Sequence, residues 1–266
     1  MSSSSTTSNA AGKALVAFIT AGYPDQVRCL KYMRAIAQAG ADAIELGIPF
    51  SDPLADGPVI QETSQTALAR GASVHGALDL AKRFGAWRRK NNLSTRILLM
   101  TYLNPVLAYG LERFVADARA AGVDGLIPVD LIPEEGEGFR QAADAAGLRV
   151  TYLCSPTCTD ARMKRIGEAS TGFVYLVSVK GVTGARAGVP DGLSETVQRL
   201  RRATDKPIYV GFGISDAKQA EAVARLADGI VVGSALLKRI PASGRDRTRQ
   251  IWSFVGGLRR AVDRSV

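Results

Sequence analysis

The run Gly125-Leu-Ile-Pro-Val129, the amphipathic stretch Glu134–Ala146, the break at Gly147 and the second run Arg149-Val-Thr-Tyr-Leu-Cys154 decide the fold. A short apolar run, a helical pattern closed by glycine and another short apolar run make a strand–helix–strand unit. The runs are nearly continuous in hydrophobicity, as parallel strands covered on both faces are. Working outward, further strand candidates are Leu15–Thr20, Ala43–Ile48, Ile97–Tyr102, Phe173–Ser178, Pro207–Phe212 and Gly229–Ser234. Between them lie helical patterns at Gln26–Ala39, Gly76–Lys90, Leu111–Ala121, Asp160–Ala169, Leu193–Ala203 and Asp216–Ala227, with Gly40 and Gly122 as further stop signals. Eight such units in about 250 residues predict an α/β fold, a (β/α)8 TIM barrel. Residues 13–266 read as a single barrel domain and residues 1–12, rich in Ser and Thr, as a disordered leader. A doubly wound sheet is the alternative, because periodicity does not register closure.

Hydrophobic residues make up 46% and charged residues 22% of the 266, which excludes a disordered, collagen-like or coiled-coil chain. Of the net charge of +9, all but one unit falls in residues 171–266, which hold sixteen basic and eight acidic side chains. Most of it lies between Lys238 and Arg264, where few aromatics interleave, so a solvated helix face is favoured over a nucleic-acid surface. Cys29, Cys154 and Cys158 do not make a disulfide framework, and one histidine, His75, does not make a zinc site. The N-terminus has no basic region followed by an apolar run, and no window approaches the roughly 18 apolar residues of a membrane span. The chain therefore reads as soluble and cytoplasmic. With one histidine, proton chemistry falls to carboxylates.

In a barrel the chemistry sits just past the C-terminal ends of the strands, and three places there stand out. Glu45 lies inside an apolar strand, beside Ile44 and Leu46. A carboxylate in such a place is either paired, for instance with a core arginine, or has the raised pKa of a general acid or base. The loop beyond it, with Asp52, Asp56, Pro49, Pro53 and Pro58, is acidic and stiff, and it brings Asp56 to Glu45 only if it folds back. Gly211-Phe-Gly-Ile-Ser215 and Gly233-Ser234 follow the last two strand candidates, where backbone N–H groups commonly cradle phosphate. Val179-Lys-Gly-Val-Thr-Gly-Ala-Arg-Ala-Gly188 is either a lid or a long surface connection.

These segments, together with Phe18-Ile-Thr-Ala-Gly-Tyr-Pro24, Glu45–Pro58, Tyr102-Leu-Asn-Pro105, Gly181-Val-Thr-Gly184 and Asp228-Gly-Ile-Val-Val-Gly-Ser-Ala235, resemble the tryptophan synthase alpha chain family from about Lys13 to Lys238. The resemblance implies a TIM-barrel lyase of tryptophan biosynthesis that cleaves indole-3-glycerol phosphate to indole and glyceraldehyde 3-phosphate. It implies no cofactor in this chain, no nucleic acid and no membrane. The implied partner is a beta chain, carrying pyridoxal phosphate, in an alpha2beta2 complex. Residue by residue, it makes Glu45 the alternating acid and base and Asp56 the carboxylate facing the indole N–H. Thr183 orients Asp56. Phe18, Tyr102 and Tyr175 wall the indole pocket, while Gly184, Phe212, Gly213, Gly233 and Ser234 belong to the substrate and phosphate site. Asp52 and Pro53 lie on the loop expected to meet the partner. The pattern departs at the Ser/Thr-rich start, at Val179-Lys180 before the glycine loop, and at Ile127-Pro-Val-Asp-Leu-Ile-Pro133, which permutes the usual Val, Pro and Asp. Three functions follow: an alpha chain of a bifunctional complex, a stand-alone lyase releasing free indole, and a non-catalytic alpha-like regulatory subunit or basic binding module.

Overall fold

Nine parallel strand segments run through the described residues: β1 (Ala14–Thr20), β2 (Ala43–Gly47), β3 (Arg96–Thr101), β4 (Gly125–Pro128), β5 (Arg149–Val150), β6 (Leu153–Cys154), β7 (Val174–Val177), β8 (Ile208–Gly211) and β9 (Gly229–Val232). They belong to a computed structural model that describes residues 12–177, 192–211 and 213–266. The leader expected at 1–12 falls outside those residues except for Gly12. Each strand lies beside its sequence neighbour, and β1 also pairs with β9. The order therefore continues in one direction around a ring and does not reverse at a switch point as a doubly wound sheet does.

The expected fifth strand, Arg149–Cys154, is interrupted. β5 pairs with β4 and β6 with β7, and the two residues between them still bridge both sides. Thr151 donates its N–H to Leu126 O (3.0 Å), and Tyr152 O accepts from Tyr175 N (3.1 Å). The ring closes through this broken strand, giving eight barrel staves from nine segments.

Inward-facing side chains follow the two-residue period of the strands. Val16, Ala43, Leu98, Ile127, Phe173 and Val231 form an interior cluster, with Tyr209 packed against it and stacked on Phe173 at 4.2 Å. Two residues further along their strands, Phe18, Glu45, Met100 and Tyr175 form the next layer toward the C-terminal ends. The helices pack outside, where Leu, Ile, Val and Ala form the larger core. Cys29 and Cys154 are buried free thiols of that core.

The N-terminal ends of the staves repeat one device. Asp42, Asp124 and Asp228 each precede a strand, and each backbone N–H donates to the preceding stave, at Leu15, Ile97 and Ile208. Each carboxylate then accepts the N–H of that same residue, at 2.7, 2.8 and 2.9 Å. An arginine completes each clamp: Arg259 on Asp42, Arg88 on Asp124 and Arg201 on Asp228. Thr171 does the same without charge, its hydroxyl accepting from Val150 N at 2.8 Å. Every second stave is thus locked to the one before it.

The basic C-terminal stretch differs from a purely solvated face. The helix Thr248–Asp263 buries Ile251, Val255, Leu258, Ala261 and Val262 against the barrel, and Arg259 reaches inward to Asp42 and to Lys13 O. Three helices lie where no helix is predicted: Pro58–Ala69, Leu103–Tyr109 and Ser234–Leu237. All three sit at the C-terminal end of the barrel. Among the described residues no helix is long and apolar enough to cross a membrane.

Candidate active site

Glu45 points into the barrel because Ala43, two residues earlier on β2, belongs to the interior cluster. Its neighbours in register are Phe18 on β1 and Leu98 on β3, both buried and apolar. The side chain is fully buried. Among the described residues neither carboxyl oxygen finds a hydrogen-bond partner, and no core arginine pairs with it. Burial pushes its pKa up to about 8, the nearby Asp56 carboxylate adds to the rise, and the Tyr175 hydroxyl opposes it. Glu45 is therefore neutral below about pH 8 and holds a proton that it can give away.

Asp56 comes back over the barrel mouth, as a shared site with Glu45 requires. The segment turns twice, with Leu54 N donating to Asp52 O and Asp56 N to Pro53 O. The helix Pro58–Ala69 then starts with proline in its first turn, where the missing N–H costs nothing. That helix is tied to the barrel by the hydroxyl pair of Thr20 and Thr63 at 2.7 Å. Asp56 is half-buried, and desolvation raises its pKa to about 6 while the Tyr102 hydroxyl holds it down. Tyr102 donates to Asp56 Oδ2 at 3.1 Å and accepts from Ala55 N at 3.0 Å.

The pocket beside this pair is lined by Phe18, Gly47, Ile48, Asp56, Ile60, Ser64, Met100, Thr101 and Tyr102. Phe18, Ile48, Ile60, Met100 and Tyr102 give it an apolar and aromatic side, and Ser64, Thr101 and Asp56 give it a polar one. Gly47 makes room for this: a methyl group there would lie 2.6 Å from the Phe18 ring. Gly211 does the same for Tyr175, at 2.4 Å. Burial and the Glu45 charge raise the Tyr175 hydroxyl well above its ordinary value, so it remains neutral beside Glu45.

On the far side of the mouth, Gly233 and Ser234 open the short helix Ser234–Leu237, and Gly213 follows β8 with a positive φ of 30°. Gly233 packs against Phe18. The structure brings together Phe18, Glu45, Asp56, Tyr102 and Tyr175, and places Gly213, Gly233 and Ser234 at the ends of neighbouring strands. Thr183, Gly184, Phe212 and the Val179-Lys180 departure lie outside the described residues, as does the expected lid. Asp52 is exposed but Pro53 is buried within this chain, and the apolar side chain that projects from this loop is Leu54, 92% exposed. Sequence reading places Tyr102 as a wall and misses its hydroxyl bond to Asp56, and it gives Asp130 no role. Asp130 Oδ1 accepts from Leu103 N at 2.8 Å and anchors the turn next to Tyr102.

The family model described as Tryptophan synthase alpha chain matches residues 5–260. The tryptophan synthase alpha chain of Geobacter sulfurreducens is 47% identical over 251 residues, 94% of this chain and 93% of the relative. That of Burkholderia multivorans is 44% identical over 252 residues, 94% and 92% of the two chains. Among solved structures, Mycobacterium tuberculosis tryptophan synthase superimposes with a TM-score of 0.86 at 36% identity, covering 95% of this chain and 93% of that one. Tryptophan synthase subunit alpha from Legionella pneumophila gives 0.86 at 37% identity, with 95% and 93% covered.

Proposed function

The chain belongs to the tryptophan synthase alpha chain family, and we propose that Glu45 and Asp56 carry its cleavage of indole-3-glycerol phosphate to indole and glyceraldehyde 3-phosphate. It is a carbon–carbon lyase of tryptophan biosynthesis that works with a beta chain. The pyridoxal phosphate of that complex belongs to the beta chain, and the cleavage needs only side chains of this one. The cytoplasm is the compartment we assign, and residues 13–266 form one catalytic unit, a reading supported by the pairing of β1 with β9.

The observation that carries the assignment is the fully buried Glu45, without a partner among the described residues and facing Asp56 at the C-terminal ends of the strands. The neutral Glu45 gives its proton to indole C3, which makes the ring nitrogen iminium-like. Asp56 accepts the hydrogen bond of that N–H and stabilises the positive charge where it appears. Glu45, now a carboxylate, takes the proton of the side-chain hydroxyl next to the scissile bond. The carbon–carbon bond breaks, its electron pair returns to the ring, and the hydroxyl carbon becomes the aldehyde. Glu45 ends protonated, so the cycle closes without an outside acid. Phe18, Tyr102 and Tyr175 hold the ring, and Gly184, Phe212, Gly213, Gly233 and Ser234 hold the phosphate end. Asp52, with the projecting Leu54, suits the loop to a partner surface.

An indole-release assay with and without a beta chain tests the reading. Release that is slow alone and accelerated by the beta chain is expected. Equal, fast release in both identifies a stand-alone lyase, and none in either identifies a non-catalytic subunit.

A further inference from the structure

We propose that Tyr102 is the positioning residue of Asp56, its hydroxyl fixing the carboxylate in the ionised form and the orientation that meets the indole N–H. This rests on the reading of Asp56 given above, and it adds a role that the indole-wall assignment of Tyr102 does not contain. The hydroxyl has one proton and spends it on Asp56 Oδ2, while its oxygen accepts from Ala55 N, the residue just before Asp56. A single group therefore binds both the backbone and the side chain of the catalytic turn. Tyr102 itself is 4% exposed and held from two sides. Its ring packs on Phe50 at 5.2 Å, and the turn that follows is anchored by Asp130 through Leu103 N.

The charge balance gives the contact its direction. Among the described residues the titratable groups facing Asp56 are Glu45 on β2, Tyr175 on β7 and Tyr102 at the end of β3. Glu45 is neutral when the reaction starts and brings no cation, and the Tyr175 hydroxyl is neutral beside it. Among the described residues the Tyr102 hydroxyl alone donates to the Asp56 side chain. Burial and the neighbouring Asp56 and Asp130 carboxylates raise the Tyr102 hydroxyl, so it keeps its proton across the working range. Thr183, the orienting residue implied by the family resemblance, would engage Asp56 as well; Tyr102 uses only Oδ2 and leaves Oδ1 for a second donor and the substrate.

The test is the pH dependence of kcat/KM for indole release by the complex with the beta chain, for the unsubstituted chain and for Tyr102→Phe. The substitution keeps the ring and removes the donor. The expected result is a fall in kcat of about tenfold with KM within about twofold, and an acid limb moved up by about one pH unit. A ring-fluorinated tyrosine at position 102, a stronger donor of unchanged shape, moves the limb the other way. In an Asp56→Asn background Tyr102→Phe costs less than about threefold, because the partner is already changed. Acid limbs that stay in place in both variants, or losses that multiply with Asp56→Asn, overturn the proposal and leave Tyr102 a wall. No release by the unsubstituted complex overturns the proposed function instead. Should Tyr102→Phe fail to fold, the fluorinated chain decides by itself: a lowered acid limb supports the proposal and an unmoved one overturns it.

Discussion

The two ends of the barrel treat the same chemical group in opposite ways. At the N-terminal ends Asp42, Asp124 and Asp228 each accept a backbone N–H and an arginine, so every carboxylate is partnered. At the C-terminal ends, among the described residues, Glu45 is buried with no partner and Asp56 has a single side-chain donor, Tyr102. The first set stabilises the fold: a charge-assisted hydrogen bond to a charged group contributes roughly 1.5–3 kcal/mol. The second costs stability, since burying a carboxyl without partners disfavours its charged form. That cost produces proton donors and acceptors near neutral pH. A clamp and a catalyst are made from one functional group by choosing what surrounds it.

The sharpest break comes from Glu45→Gln. Indole release falls by about a thousandfold or more, as the loss of a general acid and base requires. The same change stabilises the fold at alkaline pH. In the folded chain the carboxyl titrates at about 8 against an ordinary value of 4.5. The folded state thus holds the extra proton between those values and loses stability as pH rises through them. Denaturation at about pH 9 shows the amide variant more stable, while at about pH 4 the two are alike. Near-normal release, or no gain at the higher pH, means Glu45 belongs with the clamps.

Asp124→Ala is the mirror experiment. It takes the carboxylate from Arg88, whose side chain is 13% exposed and keeps Thr95 O and Gly122 O, and leaves the Ile97 N–H without its partner, so urea denaturation gives a loss of about 1–3 kcal/mol. Turnover per folded molecule stays within about twofold, because the clamp lies at the other end of the barrel from the chemistry. A large fall in kcat there would erase the division between the ends. The smallest effect is in the profile of the unsubstituted enzyme. Release requires ionised Asp56 and protonated Glu45, so kcat/KM is bell-shaped with limbs near 6 and 8, belonging to the interacting pair. A flat profile from pH 5 to 9, within about twofold, breaks the assignment of either group.

The strands are legible because each apolar run is short, β-branched and closed by a helix pattern, and Glu45 because a charge interrupts one such run. The Thr151–Tyr152 interruption leaves no mark on Arg149–Cys154, where the apolar pattern continues through the break. The helix Pro58–Ala69 is hidden by Pro58, which ends a proline-rich loop and begins a helix with the same residue. Tyr102 and Asp56 are 46 residues apart, and nothing local in either segment points to the other. The clamps do leave a trace: Ala41-Asp-Ala43, Val123-Asp-Gly125 and Ala227-Asp-Gly229 repeat a small–Asp–small pattern just before strands. Its meaning needs the register, since each aspartate serves the stave before its own. The basic excess of the last residues is partly structural, with Arg259 and Arg264 bound to Asp42, Asp263 and Glu221.

Arg259 has a consequence for how the molecule is made. It donates to Lys13 O, 246 residues earlier in the chain, and to the carboxylate that fixes Leu15. Strand β1 is therefore finished by the helix Thr248–Asp263, and its second neighbour, β9, is also made long after it. Contacts of such long range are formed late, because the chain between them must be ordered before they repay its entropy. During synthesis β1 holds only one of its two sheet neighbours and its clamp lacks a guanidinium. Stopping the chain a few turns short leaves a nearly complete set of staves with an open seam at β1.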